Sequence, residues 1–198
     1  MSLMRTTQRI GEAVLLRKSG FALLQVFLAF FFGTVLARAA VSETELKAAF
    51  LYNFAKFVDW PAQAFSSETD PIQIGIFGDE DFGGKLRSLL SDKKAHGRSF
   101  EVKKVSNPQE AKNFQIVFVS NTETKRLPQI LEATKKLPIL TIGESEQFLD
   151  AGGMINFTFE DSQLRFEVNP DAAERVKLAI SSKLLRLAKR IKKGGKND

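Results

Sequence analysis

Three groups of residues in this 198-residue chain have types and spacings that invite a chemical reading, and each fails a specific test. The first is the turn Gly75-Ile-Phe-Gly78-Asp79-Glu80-Asp81-Phe-Gly83-Gly84-Lys85, which resembles a phosphate cradle. A phosphate loop needs G-x-x-x-x-G-K-[ST], whereas here Leu86 follows Lys85. Three adjacent acids would also repel phosphate where backbone amides should attract it. Those acids offer hard oxygen ligands for a divalent cation, but three in a row cannot converge on one ion without outside help. A solvated loop that caps the next helix is the better reading.

His96 is the only histidine and there are no cysteines. Zinc sites and Cys-His pairs are therefore excluded, and a Ser-His-acid triad would have to use this one residue in Lys94-Ala-His-Gly-Arg98. A basic, Gly-containing turn after a helix reads instead as an exposed loop. No pair of carboxylates stands out for general acid-base work. The residues point to a binding protein rather than an enzyme, with no catalytic residue, cofactor or metal assigned.

The richest stretch for binding is Leu46 to Pro61, LKAAFLYNFAKFVDWP, which holds the only Trp and the only Tyr. At 100° per residue, Leu46, Phe50, Leu51, Phe54, Phe57 and Val58 form one apolar stripe. Tyr52, Asn53, Lys56, Asp59 and Trp60 lie on the other side. That second face can meet a partner, or it can cover a domain edge with its polar atoms in water. Tyr52, Asn53, Lys56 and Trp60 are the contact candidates.

The elements that must position this helix follow in α/β order. Ile72–Phe77, Arg98–Val105, Gln115–Ser120 and Pro138–Ile142 read as strands, and Met154–Phe159 with Gln163–Val168 as a hairpin through Glu160-Asp161-Ser162. Helices are expected from about Gly84 to Ser91, after Asn107-Pro108, over Thr122–Lys136 with Pro128 dividing it or in its first turn, and briefly at Ser145–Leu149 before Gly152-Gly153. Asn169-Pro170-Asp171 starts a last helix whose stripe is Ala173, Val176, Ile180, Leu184, Leu187 and Ile191, and Lys192 to Asp198 should fray. The pattern implies a single α/β domain: a mostly parallel central sheet flanked by helices, with an antiparallel edge hairpin.

Arg5, Arg9, Arg17 and Lys18, then the apolar run Phe21–Leu36, then Ala37-Arg38-Ala39, make an export signal of the general secretory type with cleavage after Ala39. An uncleaved anchor is the alternative, because the run approaches the ~20 residues that span a bilayer. The predicted domains are a signal peptide at 1–39 and one α/β domain at 40–198 with a basic C-terminal tail. The formal charge of +6 falls to +2 without the signal, and because the tail from Lys183 onward is itself +6, the rest of the domain is left at about −4. The basic pI is thus no nucleic-acid signature.

These residues resemble a family. KAAFLYNFAKFVDWP (Lys47 to Pro61), IGIFGDEDFG (Ile74 to Gly83), PILTIGE (Pro138 to Glu144), GGMINF (Gly152 to Phe157), LRFEVN (Leu164 to Asn169) and SSKLLRLAK (Ser181 to Lys189) occur in the order and at about the spacing of YfiR-like periplasmic proteins. The resemblance implies a periplasmic repressor that binds the periplasmic part of an inner-membrane diguanylate cyclase, lowers cyclic di-GMP and so restrains biofilm formation. It also implies a homodimer and possible sequestration by an outer-membrane lipoprotein. The chain departs from the founding member of the family in lacking cysteines, so disulfide-dependent control does not carry over, and it has Phe114-Gln115 where many members have a Cys-His pair before the central strand. From LRFEVN come three more contact candidates, Arg165, Glu167 and Asn169, which alternation places opposite Leu164, Phe166 and Val168. An ion pair or a helix cap would account for them equally well. The rival reading, motivated by the aromatic residues of the first helix and by the Gly152-Gly153 turn, is a periplasmic small-ligand or cell-wall-fragment binding module with a pocket lined by Trp60 or Tyr52.

Overall fold

The structure, a computed structural model, describes residues 42–192 apart from Ser162. The signal segment, its cleavage after Ala39 and the tail beyond Lys192 lie outside the described residues. The chain begins with helix α1 (Glu43–Phe57), followed by β1 (Val58–Asp59), β2 (Ile72–Phe77), α2 (Glu80–Leu90), β3 (Phe100–Lys104) and β4 (Ile116–Val119). Then come α3 (Leu127–Thr134), β5 (Leu140–Gly143), β6 (Ile155–Glu160), β7 (Gln163–Val168), α4 (Pro170–Glu174), β8 (Ala179–Ile180), α5 (Ser182–Leu185) and β9 (Arg190–Ile191).

Seven strands form one sheet in the order β3-β2-β4-β5-β6-β7-β9. The pairings from β3 through β6 are parallel, β6 and β7 form the antiparallel hairpin, and β9 pairs in parallel outside β7. The fold is therefore the expected α/β sheet, extended by one short strand beyond the hairpin. In β2, Ile72, Ile74 and Ile76 point to the face covered by α1 and α2, while in β4 Val117 and Val119 point to the face covered by α3. Burial on both faces is why these strands are continuous apolar runs.

Helix α1 starts at Glu43, ahead of the aromatic stretch, because Ser42 and Glu45 close a capping box. Ser42 Oγ accepts from Glu45 N at 3.2 Å, and Glu45 Oε2 accepts from Ser42 N at 3.0 Å. The buried stripe is Ala48, Leu51, Phe54, Ala55 and Val58. Phe50 and Phe57 are half-buried beside it and Leu46 is exposed, so the core-facing centre is turned toward the alanines. The helix stops at Phe57, where Val58 and Asp59 go extended and pair antiparallel with β8, and Ser181 N donates to the Phe57 carbonyl at 2.9 Å.

The predicted long C-terminal helix does not form. Its first piece ends after Glu174 because Lys177 adopts φ +62°, and Leu178 N and Lys177 N donate back to the carbonyls of Ala173 and Glu174, both at 3.0 Å. This is a Schellman closure with lysine in the left-handed position usually given to glycine. The remainder becomes β8, α5 and β9, which leaves Leu187 68% exposed instead of on a buried stripe. Ser145–Leu149 likewise forms turns and no helix. Phe148, fully buried, sits there between Gly143 and Gly153: a Cβ on either glycine would lie 2.2 Å or 2.1 Å from opposite edges of its ring.

Candidate functional site

The i, i+4 spacing of Tyr52 and Lys56 brings them together on the solvent side of α1, with the ammonium 5.4 Å from the ring centroid. Tyr52 is half-buried. Its ring meets Phe100 edge-on at 6.0 Å, and its hydroxyl donates to the Lys94 carbonyl at 3.3 Å. Asn53 is exposed and bonds its own helix, donating from Nδ2 to the Ala49 carbonyl at 3.0 Å. Tyr52, Asn53 and Lys56 thus make one accessible patch with an aromatic anchor and a cation. Trp60 lies beyond the helix end, half-buried, and meets His96 edge-on at 6.3 Å.

The three LRFEVN residues lie elsewhere. Leu164, Phe166 and Val168 pack into the cluster under α1, so alternation turns Arg165 and Glu167 to the opposite face of the sheet, as the sequence predicts. Arg165 is exposed and donates from Nη2 to Gln163 Oε1 at 2.6 Å. Glu167 is buried, and its carboxylate accepts from Arg190 Nε at 2.9 Å and Nη2 at 2.8 Å. That bond holds the Arg190 guanidinium pKa above its ordinary value. Asn169 is the N-cap of α4, accepting from Ala172 N at 3.1 Å. The structure therefore brings Tyr52, Asn53 and Lys56 together, and does not join them to Arg165, Glu167 and Asn169.

The bidentate pair ties β9 to β7, and its arginine is half in solvent, 56% exposed against 11% for Glu167. Screening on the arginine side keeps its worth below that of a fully buried pair. Arg190→Met should cost about 1–2 kcal/mol, read as a lower denaturant midpoint with an unchanged slope. An unchanged midpoint would mean that the pair contributes nothing.

One polar cluster escaped the sequence reading. At the carboxyl ends of β4 and β5, Glu144 accepts from Lys47 Nζ at 2.6 Å, Ser120 Oγ at 3.0 Å and Asn121 N at 3.1 Å. Lys47, which also meets Glu43 at 2.7 Å, joins α1 to the end of the sheet where doubly wound folds take their ligands. Burial alone would lower the Lys47 pKa, but the bonds to Glu144 and Glu43 outweigh it and hold the ammonium above its ordinary value. Nothing in the sequence pairs residues 97 positions apart.

Phe114 and Gln115 have structural work. Phe114 is buried against Gly75, while Gln115 accepts from Gln73 N at 2.9 Å and donates to the Ala64 carbonyl at 2.8 Å. Asp79 caps α2, its carboxylate accepting from Phe82 N at 2.8 Å, as expected of the acidic turn. Among the described residues no group of three or more His, Cys, Asp or Glu side chains is placed to hold a metal ion, and no helix is long and apolar enough to cross a membrane.

The sequence model of a family described as YfiR/HmsC-like matches residues 44–189. No curated protein sequence matches the chain. Among solved structures, a conserved domain protein from Vibrio cholerae O1 biovar El Tor is similar with a TM-score of 0.52 at 15% identity, over 76% of this chain and 60% of that one. An ABC domain in complex with L-Trp from Streptococcus pneumonia is similar with a TM-score of 0.47 at 11% identity, over 61% of this chain and 55% of that one. The chain thus spans about 60% of the length of the Vibrio protein, and at such identity the likeness speaks for the α/β fold alone.

Proposed function

We propose, from the premise that this chain belongs to the YfiR/HmsC-like family, that it is an exported repressor which binds the periplasmic part of a membrane diguanylate cyclase and lowers cyclic di-GMP. Membership supports a regulator of diguanylate cyclase signalling rather than an enzyme. The observation that carries the finer reading is the solvent face of α1. Its Tyr52 ring is anchored on Phe100 and carries Lys56 beside it, so a rigid aromatic and a cation are presented with little entropy left to lose on binding.

Repression follows if the repressor binds the inactive state of the cyclase more tightly than the active one, and the shift can be no larger than that difference in affinity. Export through the signal segment at 1–39 puts the protein in the compartment this requires. Pairing of two copies and capture by an outer-membrane lipoprotein belong to the same proposal.

Replacing Tyr52 with Ala and Lys56 with Glu together should weaken binding to the cyclase by about 2 kcal/mol, roughly thirtyfold. Lys56→Glu alone should lower the melting temperature by no more than a few degrees, because the exposed residue gives up only its place over the Tyr52 ring and in the last turn of α1. Cyclase recovery by the tagged double variant, compared with the parent, is the measurement. Equal recovery from a folded double variant would reduce α1 to a core element.

A further inference from the structure

Trp60 forms one wall of a cavity of about 230 Å³ that no part of the regulator reading uses. Phe65 and Ile72 supply apolar walls, and Asp59, His96 and Arg98 supply the polar ones. Arg98 is held in place at one side of this space. Its guanidinium stacks 3.7 Å from the centroid of the Phe65 ring, and Nη1 donates to the carbonyls of Ser67 at 2.9 Å and Asp70 at 2.8 Å. Its Nε and Nη2 donate to no acceptor among the described residues. The Trp60 indole Nε1–H is buried and also lacks an acceptor, a state that costs stability unless something supplies one. His96 stands in the left-handed region at φ +52°. Its Nε2–H donates to the Ala55 carbonyl at 3.0 Å, and Nδ1 is turned toward Asp59 at 3.7 Å. That carboxylate is 72% exposed.

We infer that this cavity is a binding site for a small organic monocarboxylate with a flat apolar body. The free edge of the Arg98 guanidinium takes the carboxylate, and Trp60 and Phe65 flank the body. Arg98 is the one arginine or lysine of the lining, and Asp59 and the nearby Asp70 carboxylate oppose it, so a second negative charge on the ligand would go unpaired, which disfavours phosphate-bearing ligands. The volume limits the ligand to a few small-molecule fragments, below the range of ordinary drug-sized sites. The inference is independent of the regulator reading, since it concerns a cavity beside α1 and not a protein partner.

The single tryptophan is a reporter inside the site. Titrating the purified protein with benzoate should change Trp60 emission saturably, and benzamide, the neutral isostere, should bind at least tenfold more weakly. Arg98→Lys, which keeps the charge but loses the fork, should weaken benzoate binding severalfold. If that variant does not fold, the benzoate and benzamide titrations of the unaltered protein decide alone. A flat benzoate titration, or equal responses to the two compounds, would overturn the site.

Discussion

Phe54→Ala should destabilise the domain by about 3–5 kcal/mol, among the largest effects expected of truncating a fully buried side chain of the described residues. Phe54 is fully buried. Its ring lies 5.0 Å from Phe166, 5.6 Å from Phe157 and 6.0 Å from Phe50, at the centre of a four-ring cluster joining α1 to the hairpin. Removing it forfeits the transfer energy of the ring and leaves a cavity whose walls are fixed by a strand pair on one side. Because domains hold only about 5–15 kcal/mol in all, the variant should show a sharply reduced denaturant midpoint or fail to fold. A loss below about 1 kcal/mol would show that α1 does not seat on the hairpin as described.

The second large effect concerns a glycine. Gly153→Ala should cost about 3 kcal/mol, at the upper end for overpacking, because its new Cβ would stand 2.1 Å from Phe148 Cε1. The ring cannot retreat, since Gly143 faces its other edge and has no spare room either. Adding Phe148→Leu to Gly153→Ala should recover part of the loss, a non-additivity expected of residues in contact. Thermal melts of the two single variants and the pair check this. Additive losses would mean that the glycine and the ring do not compete for the same space.

Much of this architecture was legible in the chain because local sequence signals carry it. The apolar runs at Ile72–Phe77 and Gln115–Ser120 are buried on both faces, and Asn169-Pro170-Asp171 marks the start of α4 by cap, proline and acid together. The C-terminal region misleads for the same reason. Ala173, Val176, Ile180, Leu184, Leu187 and Ile191 keep helical spacing, yet the chain turns at Lys177, where no glycine gives warning.

The candidate site divides along similar lines. The meeting of Tyr52 with Lys56 follows from helical spacing alone. Non-local contacts do not: Trp60 against His96, Glu167 with Arg190, and Lys47 with Glu144 each require the finished sheet. Sequence reasoning placed Trp60 with the helix face, whereas the fold gives it to a different cavity past the helix end. That separation sharpens the partner-binding account to Tyr52, Asn53 and Lys56.

The most direct measurement of the regulatory account is cellular cyclic di-GMP after deletion of this gene, with restoration by the parent chain or by the Tyr52→Ala, Lys56→Glu variant. The account predicts a rise on deletion, reversed by the parent chain and not by the variant. An unchanged level on deletion would contradict it.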